Sequence, residues 1–196
     1  MFLKKLFKKK SKKRKLLENK KGDYDMNQSL NKVNSSSFNK CVLVTGNIAL
    51  TEGHKFGLYL CAADDIRYPC DYISFYYHKK IWGIYRIDSS IIIDFKGDIP
   101  TIEELKKSYL EIGSLDAEEL YNKLKSLKSS GIHRWSFSSK WKIISFNKDK
   151  NLIDFEILHS KKGAFIQRQS YVWADSIINL NPDEDDTDNI RFVNKD

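Results

Sequence analysis

No run in this 196-residue chain approaches the roughly 20 apolar residues that a membrane-spanning helix requires. Its longest apolar blocks are strand-sized. Cysteine is sparse: Cys41, Cys61 and Cys70 form an odd set without CxxC spacing, which argues against a disulfide framework and for reduced thiols in a cytoplasmic protein. Glycine is placed wrongly for phosphate cradling, because neither Thr45-Gly46-Asn47 nor Glu52-Gly53-His54-Lys55 has dinucleotide or P-loop spacing. A G-x-S-x-G nucleophile elbow is missing, as is any repeat of solenoid or propeller period. The charged start lacks the 7–15-residue apolar centre of a secretory signal, so none is expected.

Acid is nearly missing from the first 21 residues, MFLKKLFKKKSKKRKLLENKK, where Glu18 stands against eleven Lys/Arg. Of 34 basic and 26 acidic residues in the chain, residues 22–196 keep 23 and 25, a formal −2. The net +8 therefore describes a leader, and the usual inference from a basic chain to a nucleic-acid-binding surface does not extend to the remainder. The leader suits phosphate backbones through counterion release. Phe2, Leu3, Leu6 and Phe7 beside lysines equally suit an anionic membrane surface, and the whole segment also suits a solvated, solubilising tail.

Residues 22–40 are Asn/Ser-rich and read as a linker. A folded domain is expected over residues 41–182, followed by an acidic C-terminal tail over 183–196 that opens with DEDDTD. Strand signals dominate the domain: residues 41–45, 55–62, 72–77, 81–87, 90–95, 141–146, 152–158 and 164–173. Residues 72–87 form a hairpin turned at His78-Lys79-Lys80, and residues 90–95 follow as the next strand of a meander. Thr101 and Glu104 make a capping-box pattern that predicts a helix over 101–111. Leu120, Leu124 and Leu127 predict a second helix over 116–129, ended by Gly131. The fold class is α+β, a mainly antiparallel sheet or small β-barrel with two helices inserted mid-domain.

The hairpin is the most distinctive segment. Asp71-Tyr72-Ile73-Ser74-Phe75-Tyr76-Tyr77, a polar turn, and Ile81-Trp82-Gly83-Ile84-Tyr85-Arg86-Ile87 resemble the central hairpin of PUA-like domains, in particular the EVE/YTH-like branch. The resemblance covers residues 68–96. It implies a small β-barrel that holds a nucleobase against aromatic walls, where stacking contributes about 1–3 kcal/mol. By residue type, Trp82, Trp135, Trp141 and Trp173, with Tyr76, are the candidate stacking residues. Gly83 beside Trp82 allows a ring or backbone to approach closely. Residues 132–142 (IHRWSFSSKWK) interleave aromatics with Arg134, Lys140 and Lys142, and together with Arg168 they make a candidate phosphate groove. The same pattern suits a sheet with one buried aromatic face and one solvated basic face.

Two further chemistries are open. Asp94 and Lys96 share a strand face and match the D-x-K half of the PD-(D/E)XK nuclease signature, with Asp71 or Asp88 as first carboxylate and Mg²⁺ as cofactor. A helix bearing an acid normally precedes that core, and none is evident before Asp71. His54 and His78, with Cys61 and Cys70, are metal-ligand types without ligand spacing, His54 in an expected loop and His78 in the turn. The reading favoured by the sequence is a non-enzymatic RNA- or DNA-binding module without cofactor. The alternatives are the nuclease and a membrane-surface or protein-interaction module tethered by residues 1–21.

Overall fold

A computed structural model describes residues 39–63, 65–66, 69–132, 140–159, 166, 169–180 and 187–193. Among them lie eight strands: β1 (Lys40–Thr45), β2 (Leu58–Ala62), β3 (Tyr72–Tyr77), β4 (Lys80–Asp94), β5 (Tyr109–Gly113), β6 (Lys140–Phe146), β7 (Ile157–Leu158) and β8 (Ser170–Trp173). Four helices accompany them: α1 (Asn47–Phe56), α2 (Ile102–Lys106), α3 (Ala117–Ser130) and α4 (Asp175–Ile178). The strands form one open sheet in the order β2-β6-β4-β3-β1-β8, with β5 and β7 also paired to β4. Every pair is antiparallel except β1 with β3. The fold is α+β and its sheet is mixed.

The apolar runs are explained by burial on both sheet faces. Along β1, Cys41 and Leu43 enter one core cluster while Val42 and Val44 enter another. Along β2, Tyr59 and Cys61 pack on that second cluster while Leu58 and Leu60 join a third, which lies under α2 and α3. β4 reaches all three: Ile81 and Ile84 in the first, Tyr85 and Ile87 in the second, Ile91 and Ile93 in the third. α3 is built as its spacing predicts. The Asp116 side chain accepts the Glu119 amide, Leu120, Leu124 and Leu127 are buried, and Gly131 ends the helix in the left-handed conformation.

Several elements differ from the sequence reading. Residues 81–94 lie in one strand, not two strands of a meander, because β4 stays paired while exchanging partners from β3 to β6 and β5. The capping box at Thr101 and Glu104 forms, yet its helix stops at Lys106. Residues 109–113 are taken instead by β5, whose backbone groups pair with Ser89–Ile92 of β4, a tertiary contact that overrides local helical preference. α1 replaces the expected loop at His54 and the start of the expected strand at 55–62. Its buried residues are Ala49, Glu52 and Gly53, with Gly53 against the Phe75 ring, so no large apolar side chain marks its period. Of residues 152–158 only the last two pair as strand. The Asn151 side chain accepts the amides of Ile84 and Ile153 and fixes the preceding loop on β4. Beyond the expected domain end, Thr187 and Ile190 are buried and Phe192 bridges to Val172. The leader 1–21, most of the linker and residues 181–186 lie outside the described residues.

Leu124→Ala, at a position 0% exposed beneath the sheet, is expected to lower unfolding free energy by about 2–5 kcal/mol in urea titration. Tyr109→Ala, 68% exposed on β5, should change it by less than about 0.5 kcal/mol.

Candidate nucleic-acid interface

The β3–β4 hairpin closes through a two-residue turn in which His78 (φ 50°) and Lys79 (φ 62°) are both left-handed, the geometry that matches strand twist in tight hairpins. The amide of His159 donates to the Lys79 carbonyl at 2.8 Å, and β7 pairs with Lys80 and Ile81, so the tip is braced from the side. The Tyr77 and His78 rings lie 4.1 Å apart. Trp82 is half-buried, and its Nε1 donates to the Tyr77 carbonyl at 3.0 Å, which fixes the indole plane. Lys80 Nζ stands 5.2 Å from the centre of that indole and also pairs with Glu156 at 2.5 Å. The His54 imidazole, from the last turn of α1, approaches Trp82 edge-on at 6.3 Å, with Phe75 and Tyr85 at 6.2 and 6.4 Å. A basic and aromatic surface thus gathers at one hairpin tip from two elements.

Gly83 behaves as the hairpin pattern suggests. Its φ is 153°, and a β-carbon there would meet the Tyr85 hydroxyl at 2.8 Å and the Asn151 side chain at 2.9 Å. The close neighbour is a ring hydroxyl and an amide, both within the protein.

No family model, curated protein or solved structure matches this chain.

The described members of the expected aromatic set do not converge on one pocket. Trp141 pairs with Ile93 at the far end of β4, eleven residues from Trp82 and so roughly 36 Å along the strand. Trp141 packs on the α2–α3 cluster, and Trp173 lies on β8 opposite Lys40. Tyr76 is 5% exposed within the first cluster, so it is a core residue and not a wall for a ligand. Trp135, Arg134 and Arg168 lie outside the described residues.

Lys142 is also corrected. Side chains alternate along β6, so Trp141 turns toward the α2–α3 cluster and Lys142 toward the opposite face. It is 4% exposed, pairs with Glu111 at 3.1 Å and donates to the Ile66 carbonyl at 2.6 Å. Ser90 donates to the other Glu111 oxygen at 2.9 Å. The charge is used to join β6, β5 and the segment after β2, and is not available to a phosphate. Lys140 alone of that basic set is described and exposed.

The nuclease residues are likewise separated. Asp94 and Lys96 line a shallow recess with Glu104 and Lys107. Asp88 lies six residues earlier on the same strand, roughly 20 Å away. The Asp71 carbonyl accepts the Ile87 amide, which puts Asp71 beside that distant end too. Burial raises the Asp71 carboxyl above its ordinary range, with Arg86 opposing. These carboxylates do not fit one Mg²⁺ ion. Among the described residues no group of three or more His, Cys, Asp or Glu is arranged to hold a metal. Cys41, Cys61 and Cys70 are buried, and burial pushes the Cys70 thiol up to about 12.

Removing one partner of the inner ion pair leaves the other desolvated. Glu111→Ala should cost about 3–5 kcal/mol in urea titration, and Glu111→Leu with Lys142→Met should recover most of that loss. Burial also holds the His54 imidazole below its usual 6.5. The unfolded chain then takes up that proton more readily, so the contribution of this site is present above the unfolded value and lost as pH falls below it. In His54→Gln, stability measured from about pH 7 to pH 5 should fall less steeply than in the parent.

Proposed function

We propose that the chain is a non-enzymatic nucleic-acid-binding module, in which residues 1–21 supply attraction and the β3–β4 hairpin tip supplies the contact surface. The observation that carries this reading is the fixed, half-exposed indole of Trp82, hydrogen-bonded to the Tyr77 carbonyl and flanked by Lys80 and His54. A base stacks on such a ring for about 1–3 kcal/mol without regard to sequence, while the lysines of residues 1–21 meet its phosphates. The ligand is a single strand, RNA or DNA, because a duplex hides the base faces. The contact is an open surface; the described tryptophans are too far apart to enclose a base.

The finer PUA-like reading rests on this same hairpin: a tight turn, then Trp82-Gly83-Ile84 with Gly83 and Ile84 buried. The leader's eleven bases make binding steeply salt-dependent, whereas the near-neutral remainder adds little long-range field.

Binding of a fluorescent single-stranded oligonucleotide, titrated with salt, tests the division of labour. Trp82→Ala should weaken binding by roughly tenfold at every salt concentration. Deletion of 1–21 should flatten the logarithmic salt slope by about 0.7 for each phosphate the leader neutralises. Equal affinity for Trp82→Ala and parent would remove the hairpin from the account. Strand degradation in Mg²⁺ that disappears in Asp94→Ala would replace the binding module with an enzyme.

A further inference from the structure

A cavity of about 670 Å³ opens beside the middle of β4, between that strand, the start of α3 and the turn after β6. Its position is set by a β-bulge. Ile87 pairs with Phe146 and Ser89 with Ser145, so Asp88 is an extra residue that the ladder leaves unpaired. Bulges of this kind re-aim a side chain out of the sheet. The bulge is locked from behind: the Asp88 carbonyl accepts the Ser114 amide at 3.2 Å. Gly113 holds φ 77°, and a β-carbon there would lie 1.8 Å from the Asp88 carbonyl oxygen, so the β5 end closes on Asp88 only with glycine.

The charges facing the cavity fall into two sets. Asp116 accepts the amide of Glu119 as the cap of α3, and Glu119 pairs with Lys123 at 2.7 Å. Lys123 in turn donates to the Ser145 hydroxyl. Those groups are committed to the fold. Arg86, Asp88 and Lys150 also line the cavity, and none of the three has an ion-pair partner within 4.0 Å among the described residues. Arg86 and Asp88 are both exposed and both line the cavity, two positions apart on β4. Lys150 comes from the turn closed by its own amide on the Asn147 carbonyl. The volume suits a small molecule. Its lining contains no aromatic ring, so it is not a stacking site.

We infer that this cavity binds a small zwitterion, with a primary ammonium on Asp88 and a carboxylate or phosphate on Arg86 and Lys150. Arg86 and Lys150 supply the cationic side of the cavity, and Asp88, with the capping carboxylate Asp116 nearby, supplies the anionic side, which matches a ligand that carries both charges. Ser89, Asn147 and the apolar floor of Ile87 and Leu152 complete the wall. The site is independent of the nucleic-acid reading and stands or falls apart from it.

The test is an amide chemical-shift titration of the full-length, isotope-labelled protein with L-serine and with O-phosphoethanolamine. Ethanolamine and N-acetyl-L-serine serve as probes lacking one charge. The expected result is a saturable shift centred on residues 86–89 and 147–150 with at least one zwitterion; which of the two binds more tightly distinguishes carboxylate from phosphate. Asp88→Asn and Lys150→Gln should each weaken it by about tenfold. Lys150 is on an exposed turn, so the second variant remains informative if the first perturbs the bulge. The proposal is overturned if neither zwitterion shifts those amides at about 10 mM. It is equally overturned if both variants bind like the parent, or if a probe lacking one charge binds as tightly.

Discussion

One fifteen-residue strand holds this molecule together. β4 pairs with β3, β5, β6 and β7, and its apolar side chains enter all three core clusters. The sheet has two halves, β3-β1-β8 on one side and β6-β2 on the other, and among the described strands only β4 is hydrogen-bonded to both. Strand exchange along a single segment needs local irregularity, and β4 has it: register slips opposite β3, at Asp88 opposite β6, and after Ser90 opposite β5. Each slip twists the strand toward its next partner. The two surfaces with chemical character, the hairpin tip and the Asp88 cavity, both derive from how β4 begins and where it bends.

Charge is divided along the chain in a different way from structure. The leader concentrates the basic residues, and the domain balances its own. Within the domain, several lysines are held by acidic partners: Lys142 by Glu111, Lys123 by Glu119, Lys128 by Asp98, Lys80 by Glu156. Exposed pairs of this sort contribute little to stability, whereas the Lys142–Glu111 pair is costly to break from the carboxylate side because its lysine is buried. A ligand approaching the domain therefore meets local recognition and weak long-range attraction, which is why the leader matters to the proposed function.

Legibility in the sequence followed the size of the buried side chains. α3 was readable because Leu120, Leu124 and Leu127 mark one face and Asp116 and Gly131 mark the ends. The β3–β4 hairpin was readable because two apolar runs flank a short polar turn. α1 was not, since it buries Ala49, Glu52 and Gly53, which are indistinguishable by hydropathy from a loop. β5 was hidden behind a genuine capping box, which promised a longer helix than the β4 edge allowed. The site residues fared less well for a related reason. Residue type marked Lys142 as a phosphate contact, but strand alternation turned it inward to Glu111, a partner 31 positions away that no local pattern announces. Trp82 and Trp141 share a type, yet Trp82 sits at one end of β4 and Trp141, on β6, pairs with the other end. The Asp88 cavity was invisible because a bulge creates it.

Native-state hydrogen exchange along β4 tests the central role of that strand most directly. If β4 couples the two halves of the sheet, the paired amides near Ile84 and those near Ile91 exchange only through global unfolding, with the same opening free energy and the same denaturant dependence. Two distinct opening free energies, with one half exchanging while the other stays protected, would contradict the account.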